Sequence, residues 1–286
     1  MIEVALRAHA ELGEAPTWDV RTRTLLWVDI LGSTVHRFDP ARGADAVIEL
    51  PQHVGAAKPR AEADGLVLNL RDGVALLDAD GTRRWLAYWA REGVRGNDAA
   101  VDPAGRLWAG TMRDDKATGG GWLVRVAPDG QATVVLNDVT ISNGIGWSPK
   151  AAVMYYVDSP TRRVDAFDYD LDSGEVHGRR PLCAVEDTEG VPDGLCVDAD
   201  GGVWVAVNGG GAVRRYTPTG QLDREVTLPV SQPSACCFGG PDLTDLYVTT
   251  TREGMTEPQL AAEPLAGSLL VLPDAGVGLP TTSFAG

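Results

Sequence analysis

The chain has 286 residues, 44% hydrophobic and 23% charged, with 34 glycines and 18 prolines spread along it, a composition of folded, turn-rich chains rather than disordered ones. Forty acidic residues against 25 basic ones give a formal net charge of −15, which argues against nucleic acid or an anionic membrane as a partner. No apolar run approaches the roughly 20 residues of a membrane span, no signal-type apolar core follows Met1, and the four cysteines form no CxxC pair, so a cytoplasmic protein with reduced thiols is expected.

In chain order, residues 3–8 read as a first strand. A strand of the form L-L-W-V-D-I (25–30) then recurs as G-L-V-L-N-L (65–70), R-L-W-A-G-T (106–111), Y-Y-V-D-S (155–159), V-W-V-A-V (203–207) and L-Y-V-T-T (246–250). Val, Trp, Tyr and Thr favour pleated, half-buried surfaces. Aligned on Trp27, Val67, Trp108, Tyr156, Trp204 and Tyr247, successive copies lie 40, 41, 48, 48 and 43 residues apart. Each is followed by another strand that ends in turn chemistry such as D-P, D-G or T-G. This period, with three or four short strands per unit, predicts an all-β, six-bladed β-propeller as a single domain over 1–286. The last unit lacks an outer strand, so the first strand is expected to pair into it and close the ring, which removes a free edge. One short helix is expected, at Glu257–Ala262.

The strand preceding each anchor repeats as well. In one register five units read E-A-P-T-W-D (14–19), N-D-A-A-V-D (97–102), N-G-I-G-W-S (143–148), D-G-L-C-V-D (193–198) and S-A-C-C-F-G (234–239). Small residues at the second and fourth places suit crowded strands lining a central axis. The second unit, around 55–59, cannot be aligned. The first place holds Glu14, Asn97, Asn143, Asp193 and Ser234, which radial symmetry brings to one end of the axis. Their oxygens are hard ligands suited to Ca²⁺, Mg²⁺ or Mn²⁺, with Zn²⁺ tolerated. Taken singly, Asn or Asp before Gly is also an ordinary turn residue. No G-x-S-x-G elbow occurs, the four histidines are scattered, and N-G-G-G (208–211) lies between two strands, where it reads as a hairpin turn.

L-G-E-A-P-T-W (12–18), R-G-N-D-A-A-V-D-P-A-G-R-L-W-A-G-T-M (95–112), S-N-G-I-G-W-S (142–148), P-D-G-L-C-V-D (192–198) and F-G-G-P-D-L-T-D-L-Y-V-T (238–249) together resemble the senescence marker protein/regucalcin/gluconolactonase family across the whole chain. The resemblance implies a six-bladed propeller that binds one divalent metal on its axis and hydrolyses sugar lactones. It implies Glu14, Asn143 and Asp193 as metal ligands and Arg95 and Asn97 as substrate-binding residues. Some members carry a substrate-contacting Glu after G-T-M; this chain has T-G-G-G (118–121) there, with Asp114 or Asp115 as substitutes.

The expected activity is metal-dependent opening of aldonolactones to aldonic acids, with Asp193 as general base as well as ligand. The expected partner is a small sugar lactone, and the expected state a monomer or weak homo-oligomer. Two other readings stay open: a lactonase or esterase for non-sugar esters, and a non-catalytic metal-binding propeller.

Overall fold

The computed structural model describes residues 1–185 and 190–286. Among these residues the strands form six antiparallel four-stranded sheets, each built from consecutive strands except the last. In the last sheet the N-terminal strand Glu3–Leu6 pairs with Leu269–Leu272 and takes the outermost place. The six innermost strands, Gly13–Asp19, Val54–Pro59, Val94–Val101, Ser142–Trp147, Val191–Val197 and Pro233–Gly239, each touch the next around a closed ring. The chain is therefore a six-bladed β-propeller, closed as expected by its first strand. The single α-helix among the described residues, Glu257–Ala262, is capped by Thr256 and Gln259.

Blades pack face to face through large side chains, many of them the repeat anchors. Trp108 meets Trp147 edge-on at 5.8 Å between the third and fourth blades, and Trp204 meets Phe238 at 5.8 Å between the fifth and sixth. Trp18 stacks on Tyr247 at 6.0 Å where the sixth blade meets the first. Two of these indoles are also fixed by a recurring device. Asp102 and Asp198 close the innermost strands of their blades, and each accepts the indole N–H six residues on, from Trp108 at 2.9 Å and Trp204 at 2.8 Å. A buried indole N–H is stabilised by such a partner.

The C-terminal segment straps the opposite end of the axis. Ala199 donates its N–H to the Val277 carbonyl, Phe284 exchanges backbone bonds with Pro59 and Ala61, and Ala285 donates to Gly105. The segment thus runs from the fifth blade to the second and third. Phe284 is completely buried in the core cluster with Leu66, Leu77 and Leu107. Under the strap lies a cavity of about 420 Å³, lined by Thr17, Lys58, Asp98, Cys236 and the strap residues Leu279 and Pro280 among others.

Candidate functional site

Each innermost strand breaks register at the place singled out by the repeat. The irregularities fall between Glu14 and Thr17, Val54 and Ala56, Gly96 and Ala99, Ser142 and Ile145, Pro192 and Leu195, and Pro233 and Ala235. A bulge re-aims a side chain that regular pairing would send into a blade face. Glu14, Asn97, Asn143, Asp193 and Ser234 all lie at or within these bulges. The unaligned second unit now falls into place: its equivalent residue is Gly55, where a Cβ would sit 2.1 Å from the Asn97 carbonyl oxygen. The second blade therefore contributes no donor. Gly144, following Asn143, serves no turn; a Cβ there would lie 2.7 Å from the Asp193 carbonyl oxygen. Its smallness lets neighbouring innermost strands close up.

Arg95, Asn97, Asn143, Asp193 and Glu14 are all buried, between 4% and 6% exposed, and hydrogen bonds link the first three in series. Arg95 Nη1 donates to Asn97 Oδ1 at 2.7 Å, and Asn97 Nδ2 donates to Asn143 Oδ1 at 2.9 Å. Asn143 Nδ2 in turn donates to Ser159 Oγ at 2.8 Å. Asn97, expected at the substrate, thus has both ends of its amide engaged by neighbours. Ser234 turns elsewhere: its hydroxyl donates to the Gly13 carbonyl at 2.5 Å, across the seam between sixth and first blades. It fastens the ring rather than joining the oxygen cluster.

Two carboxylates face this series. Glu14 accepts the Ala15 N–H at 3.1 Å, and Ala15 holds a left-handed backbone at φ 50°, a strained state for a residue with a Cβ. The buried Lys58 ammonium supports that kink, donating to Thr17 Oγ1 at 2.6 Å and to the Ala15 carbonyl at 3.4 Å. Asp193 accepts Asn208 Nδ2 at 3.1 Å through Oδ2, while its buried Oδ1 has no hydrogen-bond partner among the described residues. Burial, then the Asp193 and Asp98 charges, raise the Glu14 pKa well above its usual value. Burial, then the Asp98 charge, push Asp193 up to about 8.

An unpartnered carboxylate oxygen beside a second buried carboxylate and an amide oxygen is a donor set that fits a hard divalent cation. Glu14, Asn143 and Asp193 would hold it. Among the described residues no three His, Cys, Asp or Glu side chains form a metal-binding group, because the third donor here is an amide.

These shifts predict how metal-free protein responds to pH. A carboxyl whose folded pKa exceeds its unfolded one binds its proton more tightly when folded, so stability falls as pH rises between the two values. For Asp193 that window runs from the ordinary carboxylate range to about 8, and Glu14 acts in the same direction. In chelator, the unfolding temperature is expected to drop between pH 5 and pH 8. Saturating divalent cation, which binds the ionised pair, is expected to flatten or reverse that slope. Thermal melts at three pH values with and without metal measure it; equal slopes would remove the cation from this site.

Asp114 and Asp115 are not free to replace a missing acidic group. Asp114 is gripped by Arg71 at 2.8 and 3.0 Å, and Asp115 by Arg113 at 2.7 and 2.8 Å. Sequence reasoning also missed four side chains around the site. Asn208 stood in what read purely as a turn, and it does end a strand there, yet its side chain holds Asp193. Ser159, Lys58 and Asp98 carried no signal beyond residue type. His53, one of the four scattered histidines, bonds Arg71 at 3.1 Å. Burial, then the charges of Arg71 and Arg95, lower its pKa.

Comparison with known proteins matches residues 12–252 to the family model described as the SMP-30/Gluconolactonase/LRE-like region. The chain is 37% identical over 305 residues to regucalcin of Oryctolagus cuniculus, covering 100% of this chain and 98% of that protein. It is also 37% identical over 290 residues to 6-deoxy-6-sulfogluconolactonase of Pseudomonas putida, covering 100% and 99%. Among solved structures, the calcium-binding protein regucalcin of Agrobacterium tumefaciens superposes with a TM-score of 0.93 at 31% identity, covering 98% of this chain and 96% of that one. With family-typical motifs placed at the bulges of one propeller axis, the chain belongs to the SMP-30/gluconolactonase/LRE-like family.

Proposed function

We propose that this protein is a metal-dependent hydrolase that opens sugar lactones to aldonic acids at the axial site. The observation that carries the reading is Asp193: a buried carboxylate with one free oxygen, beside Glu14, under a guanidinium that has donors to spare. The names of two relatives support it, one a lactonase and one a calcium-binding protein. Carboxylate and amide oxygens accept several divalent ions, so Ca²⁺, Zn²⁺, Mn²⁺ and Mg²⁺ are all candidates. Once bound, a divalent cation supplies Lewis acidity toward a carbonyl and makes nearby water easier to deprotonate.

The chain's own residues account for the rest. Asp193, held by Asn208, takes a proton from the attacking water. Water oxygen adds to the acyl carbon, the acyl–O bond of the ring breaks, and a proton passes to the departing ring oxygen, giving a hydroxy acid. Arg95 Nη1 is engaged by Asn97 and Gly96; its remaining N–H groups can hold substrate oxygens. Asn97 keeps Asn143 aimed at the axis, and a sugar hydroxyl reaches it only by displacing one of its present partners.

The test is an indicator assay over a panel of aldonolactones and aryl esters, with protein stripped of metal and then reconstituted. The expected result is turnover that returns with divalent metal and is fastest on sugar lactones. Faster aryl-ester cleavage would favour an esterase. Metal binding without turnover would favour a non-catalytic propeller, the reading to which the calcium-binding relative points.

A further inference from the structure

The site has a roof made by two blades that stand opposite each other on the ring. In the third blade Arg113 pairs with Val94, and in the sixth Thr250 pairs with Pro233. The ends of both second strands therefore lie at the same end of the axis as Asn97 and Ser234. Beyond them run the connections 114–120 and 251–268. Third and sixth blades stand opposite each other in a six-membered ring, yet Lys116 Nζ lies 3.4 Å from Glu253 Oε1. An ion pair between opposite blades can form only over the axis.

Glu253 is firmly rooted. Its backbone N–H donates to Thr251 Oγ1 at 2.9 Å, and Thr251 Oγ1 donates to the Glu11 carbonyl at 2.8 Å. The Glu253 charge reaches into the site, acting on both Arg95 and Asp193. Among the described residues, however, Arg95 makes no ion pair with it or with any other carboxylate. The Arg95 guanidinium and the Glu253 carboxylate thus come from opposite blades at the end of the axis that carries Glu14, Asn143 and Asp193, near enough for their charges to interact yet without an ion pair.

A polyol ring bound at this end of the axis needs an acceptor beside it as well as a donor. Hydroxyl groups donate as well as accept, while Arg95 only donates. Asp114 and Asp115 are each bound two-pronged by an arginine. Glu253 has a single, half-exposed lysine at 3.4 Å, a loose surface pair worth little, and so retains acceptor capacity.

We propose that Glu253 is a specificity-determining residue of the site, accepting hydrogen bonds from the ring hydroxyls of a polyhydroxylated lactone. The proposal rests on the lactonase reading and adds the wall that recognises hydroxyls rather than the ester. Lys116 keeps the carboxylate over the axis until a hydroxyl takes its place.

The experiment compares D-glucono-δ-lactone with δ-valerolactone, the same ring size without hydroxyls, on metal-loaded wild type, Glu253→Gln and Glu253→Ala. Glu253 sits on an exposed connection, so both variants should fold, and equal melting temperatures check this. Losing a hydrogen bond to a charged group corresponds to roughly 10–100-fold. Both variants are expected to raise KM for gluconolactone by about that factor, with kcat within about threefold, and to leave δ-valerolactone turnover unchanged. Equal losses on both lactones, a fall in kcat at constant KM, or no change at all would each overturn the role of Glu253 while leaving the lactonase reading intact. A wild type inactive on every lactone removes both.

Discussion

Replacing Asp193 by asparagine is expected to reduce lactone turnover by at least 10²–10⁴-fold, the range for losing a positioned general base, while making the metal-free protein more stable. The two effects have one cause. Asp193 is buried and its Oδ1 has no partner; burial and the Asp98 charge hold its pKa up at about 8. Without a cation, ionising it beside Glu14 is unfavourable, and asparagine removes that charge while its carbonyl can still accept the Asn208 bond. At pH 8 in chelator the variant should therefore melt above wild type. With saturating divalent metal the order should reverse, because wild type gains binding energy that the variant loses. Melting curves and initial rates on the same preparations check both halves. A variant that kept wild-type turnover would end the assignment of Asp193 as base and ligand.

The second large effect lies at the other end of the axis. Phe284→Ala is expected to destabilise the fold by roughly 3–5 kcal/mol, the usual range for truncating a buried phenylalanine. In a chain of this size that corresponds to a drop in Tm on the order of 5–10 °C. Phe284 has no exposed surface, fills a cluster shared by second- and third-blade residues, and carries backbone bonds to Pro59 and Ala61. Phe284 is the strap's buried aromatic anchor, beside the bonds from Ala285 to Gly105 and from Arg60 Nε to the Gly286 carbonyl at 2.7 Å, so losing the ring should loosen residues 279–286 and open the cavity that holds Lys58 and Asp98. Hydrogen exchange of the Phe284 and Ala285 amides reports the release directly. A loss below about 1 kcal/mol would mean that the strap is held by its backbone bonds alone.

Much of this was legible in the chain. A β-propeller encodes each blade locally, so alternating apolar residues and turn chemistry repeat with the blade, and the six anchors could be counted. Glu14, Asn97, Asn143, Asp193 and Ser234 stood out because one register placed them at equivalent points of a symmetric ring, and the family resemblance narrowed the expected ligands to Glu14, Asn143 and Asp193. The same logic over-reached at Ser234, whose hydroxyl a neighbouring carbonyl captures at the seam. It also failed at Gly55, where steric closeness to Asn97 demands a residue with no side chain to recognise.

The sequence by itself thus determined the blade count and the ring closure, because both follow from short-range pattern multiplied by symmetry, and the same symmetry offered five axial positions from which the family resemblance picked Glu14, Asn143 and Asp193 as expected ligands. Only the tertiary structure decided which side chains those donors meet. Lys58 under the Ala15 kink, Phe284 beneath the axis and Lys116 against Glu253 are pairings between blades or termini far apart in the chain. No periodicity records them, since they depend on how the ring brings unlike blades face to face.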